Sequence, residues 1–140
     1  MPQLNAYLSF NGNCAEAMQF YETALEGKLE ALLKGSQSPM ADQMPPGSAD
    51  RVMHARLELD NGVLMAGDSM PGGNAYEGMK GFSMALTYPD AAQAQKVFDR
   101  LSEGGTVTMA VAGTFWADAF GMLVDRFGTP WMINGGMKPF

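Results

Sequence analysis

Leu4, Ala6, Leu8 and Phe10 alternate with Asn5, Tyr7 and Ser9, the two-residue period of a strand with one buried face. The period then lengthens. Ala17, Met18, Tyr21, Ala24 and Leu25 recur at helical spacing behind Asn13, with Glu16 placed as a capping-box partner and Gly27 as a left-handed stop. A second strand is expected over 29–33. From 35 to 50, Pro39, Pro45 and Pro46 break any period, which predicts a long surface loop of the kind that rims functional sites. Alternation resumes over 52–59 and 63–68, on either side of Asp60-Asn61-Gly62, a strong hairpin signal.

The second half repeats this plan. After a linker over 69–80 containing Pro71-Gly72-Gly73-Asn74, a strand is predicted over 82–88 and a helix behind Asp90. That helix has the stripe Ala94, Val97, Phe98 and Leu101 and stops at Gly104-Gly105. A strand over 106–111 and an aromatic-bearing connection over 113–119 follow. The last hairpin pairs 120–125 with 130–134 through Arg126-Phe127-Gly128-Thr129, with a positive φ expected at Gly128. The duplication is also literal. Ala15-Glu16-Ala17-Met18-Gln19-Phe20-Tyr21 and its closing Glu26-Gly27 reappear without a gap as Ala92-Gln93-Ala94-Gln95-Lys96-Val97-Phe98 and Glu103-Gly104. Two β-α-β-β-β modules are therefore expected, at 3–68 and 81–134, within a single α+β domain spanning 1–140. Helices should cover the convex side of a curved, half-open mixed sheet, and paired modules leave a cavity between them.

Composition narrows the function classes. With 140 residues, 46% hydrophobic and 17% charged, the chain is globular in character. A net charge of −6 without a basic cluster argues against nucleic acid as a partner. No apolar run is long enough to span a bilayer, and Met1-Pro2-Gln3-Leu4 does not open a signal peptide, so a cytoplasmic location away from membranes is expected. The single cysteine, Cys14, excludes an internal disulfide and a cysteine-rich metal site, and reads as a small core residue. Thirteen methionines are unusual. Met53, Met65, Met84, Met122 and Met132 fall in predicted strands, Met40, Met44, Met70 and Met79 in loops; thioethers fill irregular cores or line soft-walled pockets.

Candidate chemistry is sparse. There is no phosphate-cradling loop, no His-Glu-x-x-His and no serine placed to form a triad with the single histidine. Strand alternation puts His54, Arg56 and Glu58 on one face and Met53, Ala55, Leu57 and Leu59 on the other. If the polar trio faces a cavity, His54 serves as a general base and Arg56 holds an anionic group, with Glu58 beside them; otherwise the trio is a solvated face. Phe115, Trp116 and Trp131, joined by Tyr7 if the modules pair, offer flat apolar contact with a polar handle. Trp131 reads equally well as core. Tyr76 and Glu77 belong to a candidate flap.

Tyr7-Leu8-Ser9-Phe10-Asn11-Gly12-Asn13, Phe20-Tyr21, Met53-His54-Ala55-Arg56-Leu57, Leu64-Met65-Ala66-Gly67-Asp68, Thr114-Phe115-Trp116 and Asp125-Arg126-Phe127-Gly128-Thr129-Pro130-Trp131-Met132 together resemble the vicinal oxygen chelate superfamily of glyoxalases, extradiol dioxygenases and bleomycin-resistance proteins, in its PhnB-like branch. The resemblance implies a homodimer of paired βαβββ modules with a small-molecule cavity. In the superfamily's enzymes, strand-borne His and Glu hold a divalent metal. Those positions fall here at Asn5, at Met65 or Ala66, at Ser83 and at Met132, none of them a ligand for Zn²⁺, Mn²⁺ or Fe²⁺. No standard metal site and no cofactor are expected. Relatives sometimes carry a ubiquinone methyltransferase label, yet no glycine-rich strand-to-helix loop suits S-adenosylmethionine here. The expected function is small-molecule binding, for sequestration or sensing. The alternatives are a lyase, isomerase or dioxygenase that is metal-dependent through unconventional ligands such as His54, Glu58 and Asp68, or based on His54 alone, and a purely structural dimerisation module.

Overall fold

The computed structural model describes residues 2–39, 41–43, 45–72 and 75–139; Met40, Met44 and the linker residues Gly73 and Asn74 lie outside the described residues. The chain divides into two compact units, Met1–Gly78 and Met79–Phe140.

The first unit runs β1 (Ala6–Phe10), α1 (Cys14–Ala24), β2 (Lys28–Lys34), β3 (Val52–Leu59) and β4 (Gly62–Asp68), with short 3₁₀ turns at Gly35–Gln37 and Ala41–Gln43 between β2 and β3. Its sheet has the order β1-β4-β3-β2, with β1 parallel to β4 and the other pairs antiparallel. Leu8, Phe10, Ala55, Leu57, Leu64 and Ala66 are buried together with Cys14, Ala17, Met18, Tyr21 and Ala24 of α1. Leu4 falls outside this pattern: pairing begins at Ala6 opposite Leu64, and Leu4 is 99% exposed.

Both ends of α1 are made differently from the expectation. Asn13 makes no side-chain cap. The carboxylate of Asp68 does that work from the end of β4. Its Oδ1 accepts from the amides of Gly12 at 2.8 Å and Cys14 at 3.0 Å, and its Oδ2 accepts from Val52 at 2.8 Å. At the other end the left-handed residue is Glu26, with φ 54°, rather than Gly27. Gly27 is needed for space instead: a Cβ there would lie 2.7 Å from Leu59 Cδ2 and 2.8 Å from the Glu58 carbonyl.

The second unit runs β5 (Met84–Tyr88), α2 (Ala91–Ser102), β6 (Thr106–Ala112), β7 (Ala117–Val124) and β8 (Pro130–Met137), in the sheet order β5-β8-β7-β6 with β5 parallel to β8. Strand for strand this repeats the first unit, as the internal repeat predicts. Asp90 caps α2, its Oδ1 accepting from the Gln93 amide at 2.8 Å. Ala94, Val97, Phe98 and Leu101 are buried with Leu123, Trp131 and Ile133. Gly128 has the expected positive φ, 92°.

The last hairpin is longer than predicted. β7 starts at Ala117 and β8 reaches Met137, so the second module extends past residue 134. The Lys138 amide donates to the Trp116 carbonyl at 2.7 Å and closes that end of the ladder. Gly135-Gly136 opposite Asp118 carries no apolar alternation, which is why the period does not reveal the extension. No helix among the described residues is long and apolar enough to cross a membrane.

Candidate functional site

Each sheet buries one face under its helix and leaves the other open. On the first unit, register places Tyr7 opposite Met65 and Met65 opposite Arg56, so β1, β4 and β3 contribute one residue each to a single row. His54 and Glu58 flank Arg56 on the same face, as strand alternation predicts. The Tyr7 and His54 rings lie 5.8 Å apart, tilted by 31°. Tyr7 reaches His54 by crossing Gly67, where a Cβ would meet the phenol oxygen at 2.8 Å. Its hydroxyl donates to the Met53 carbonyl at 3.4 Å. Burial pushes the Tyr7 phenol above its ordinary pKa, with a smaller contribution from Cys14. The phenol therefore stays protonated and a donor at neutral pH.

The charged groups beside this pair form a loose network. Arg56 lies 3.9 Å from Glu58, and both side chains are about half exposed, so the ion pair adds little to stability. Glu58 is raised above the ordinary carboxylate range, first by a hydrogen bond with the Glu30 carboxyl and then by the charge of Glu30; Arg56 and Lys28 pull the other way. Asp68 is not part of this face. It is buried and committed to three amides, so His54, Glu58 and Asp68 do not form the unconventional metal site that the sequence allows.

Two residues without a periodic signal brace this end of the sheet. Arg51 donates to the Ser69 carbonyl at 2.7 Å and to Asn11 Oδ1 at 3.2 Å, tying the start of β3 to the segments that follow β1 and β4. Tyr76, expected in a flap, donates its hydroxyl to the Ser9 carbonyl at 2.9 Å and so lies along the β1 edge.

The open face of the second unit is apolar. Phe120 and Met122 of β7 pair with Asn134 and Met132 of β8. Above them sits Trp116, whose indole N–H donates to Asn134 Oδ1 at 3.1 Å and whose ring meets Phe120 and Phe115 edge-on at 5.1 and 4.9 Å. The Trp116 backbone is pinned at both groups: its amide donates to Thr114 Oγ1 at 3.2 Å, and its carbonyl accepts from Lys138. The indole is thus held before any ligand arrives. Phe115, at 70% exposure, stands at the rim.

Trp131 takes the other role that the sequence leaves open for it. It is 2% exposed, its Nε1 donates to Asp125 Oδ2 at 2.8 Å, and it packs under α2. Asn134 and Phe120 are the site residues that sequence reasoning missed. The signal was present, because alternation from a buried Trp131 and Ile133 puts Met132 and Asn134 on the opposite face.

The implied metal positions do not fit a divalent ion. Met65 and Met132 occupy open faces, Ala66 is buried under α1, and Asn5 and Ser83 precede their strands. Among the described residues no group of three or more His, Cys, Asp or Glu side chains is placed to hold a metal.

Residues 2–134 match the model of the family described as 3-demethylubiquinone-9 3-methyltransferase. The chain is 34% identical to the protein YjdN of Escherichia coli over 94% of this chain and 93% of that one. Protein PA1353 from Pseudomonas aeruginosa, of known crystal structure, is 45% identical with a TM-score of 0.89, over 97% of this chain and 98% of that one. A putative 3-demethylubiquinone-9 3-methyltransferase, a PhnB protein from Bacillus cereus, shares the fold at 24% identity and a TM-score of 0.77, over 96% and 100% of the two chains. At the level of fold alone, the likeness extends to a glyoxylase/bleomycin resistance protein/dioxygenase domain from Frankia, with a TM-score of 0.70 at 11% identity over 100% and 95% of the chains. The chain belongs to the 3-demethylubiquinone-9 3-methyltransferase family and has the fold of the glyoxylase/bleomycin resistance protein/dioxygenase domain.

Proposed function

We propose that this protein binds a small, partly aromatic or anionic molecule against the open faces of its sheets, without the divalent-metal chemistry of its superfamily. The observation that carries this reading is the braced Trp116: an indole held by Asn134 and Phe120 over an apolar face offers a flat surface whose ordering cost has already been met by the fold. The donor set at Asn5, Met65, Ser83 and Met132 supports a binding role over metal-assisted catalysis. Methyl transfer is not part of the reading. The turn from β1 into α1 holds a single glycine, and the Asp68 carboxylate already occupies that helix start. A homodimer in the cytoplasm is the setting we propose for it.

Tryptophan fluorescence provides the test. Trp131 is sealed in the core, so a ligand that reaches the site changes the emission of Trp116. A screen of aromatic acids should yield a saturable change, and Trp116→Ala should weaken the hit by about tenfold or more, as loss of a buried aromatic contact does. Unchanged affinity measured by calorimetry in a folded Trp116→Ala variant would remove Trp116 from the site and with it this reading.

A further inference from the structure

The hydrogen bond that braces Trp116 also fixes which way Asn134 faces. An indole N–H only donates, so the atom 3.1 Å from it is the Asn134 oxygen, and the amide nitrogen of Asn134 points away from the indole. That nitrogen has no partner among the described residues. Bracing alone does not call for an amide: Trp131 is held by a carboxylate, that of Asp125, at 2.8 Å. On the neighbouring strand, Thr87 of β5 is in register with Asn134. Leu86 pairs with the buried Ile133, so alternation puts Thr87 on the open face beside Asn134. Thr87 is exposed, and its hydroxyl has no partner among the described residues either. Neighbouring strands are about 4.8 Å apart, so a single acceptor atom can reach both groups. The adjoining row on the same face is Ala85, Met132 and Met122, an apolar floor.

We propose that the open face of the second unit takes an uncharged aromatic carbonyl compound. Its carbonyl oxygen accepts from Asn134 Nδ2 and Thr87 Oγ1, and its ring lies on Met132 and Met122 beside Trp116. The inference rests on the binding role proposed above and adds the chemical class of the ligand. A carbonyl oxygen has two lone pairs and no proton, which matches two donors. A carboxylate would match them as well, but the charges oppose it. The two rows contain no cationic side chain, and the Lys138 ammonium is committed to the Thr114 carbonyl at 3.2 Å and to Asp118 at 3.6 Å. Asp118 shares the open face with Phe120 by alternation and repels an anion. A plain hydrocarbon would strip water from the two donors without replacing it. The thioether floor adapts to rings of different outline.

The experiment titrates the ¹⁵N-labelled full chain with benzamide and with sodium benzoate, followed by NMR. Benzamide should move the Asn134 side-chain amide and Trp116 indole resonances together and saturably, and should bind more tightly than benzoate. Thr87→Val keeps the shape of the side chain and removes the hydroxyl; affinity for benzamide should fall by about threefold or more. Asn134→Asp keeps an acceptor for the Trp116 indole, as Asp125 does for Trp131, and removes the donors; affinity should fall by about tenfold or more. Binding that Trp116→Ala abolishes but that neither of these variants weakens would overturn the carbonyl site and leave the aromatic binding role standing. Tighter binding of benzoate than of benzamide would overturn the uncharged class. Amide and indole resonances that move for neither compound would overturn this inference and the binding role of the face together. Should Asn134→Asp fail to fold, Thr87→Val, at an exposed strand position, decides.

Discussion

Cys14 shows at the scale of a residue how position overrides reactivity. A cysteine at a helix start is ordinarily a candidate for a stabilised thiolate. Here the side chain is fully buried, and the helix start is already satisfied by the Asp68 carboxylate. Burial first, and the charge of Asp68 second, push the thiol up to about 12 from 9.0. The consequence for stability has a definite sign. Above pH 9 the unfolded chain gains by releasing a proton that the folded chain retains, so stability falls as pH rises through the interval from 9 toward 12. Tyr7 and Tyr76 are raised as well and add slope in the same direction. Comparison with Cys14→Ala isolates the cysteine. Urea unfolding at pH 7 and pH 10.5 should show a larger loss in the unaltered protein than in the variant, and equal losses would place the thiol in contact with solvent.

The two helices perform the same task with different parts. In β1 and β4 the register sets Phe10 beside Asp68; in β5 and β8 it sets Tyr88 beside Gly135. The place of Asp68 is therefore taken by a glycine in the second unit, and α2 relies on its own Asp90. An aspartate three residues before the amide it caps is a local signal, which is why the start of α2 is legible in the sequence. The cap of α1 comes from 54 to 56 residues away, and no window along the chain contains it. The same distinction governs the candidate site. His54, Arg56 and Glu58 are readable because alternation is local, whereas the path of Tyr7 over Gly67 to His54 depends on strand pairing. Stability should follow these roles. Asp90→Ala removes one exposed cap and should cost about 1 kcal/mol. Asp68→Ala orphans three amides, two of them bonded in buried surroundings, and should cost about 3 kcal/mol or more. Urea denaturation of both variants measures the difference; equal costs would mean that water replaces Asp68 without loss.

At the scale of the whole molecule, duplication of the backbone has not been matched by duplication of chemistry. Both units have the same strand order and a helix on one face; the gap-free repeat of helix sequences reveals the duplication, while the strand order comes from pairing. Their open faces have diverged. The first presents a guanidinium, an imidazole and carboxyls around a phenol; the second presents thioethers, an indole and one amide. Which face a ligand uses should therefore be readable from its response to salt. An anionic ligand held by Arg56 makes charge-assisted hydrogen bonds, which are worth about 1.5–3 kcal/mol and weaken as ionic strength rises, because the side chain is only half-buried. Its affinity should fall with added sodium chloride and by about tenfold or more in Arg56→Gln. An uncharged aromatic ligand should be indifferent to both and sensitive to Trp116→Ala. Calorimetry at low and high salt on the three proteins separates the cases. An anionic ligand that ignored both salt and Arg56→Gln would show that the polar face of the first unit is a solvated surface and assign binding to the second unit's face alone.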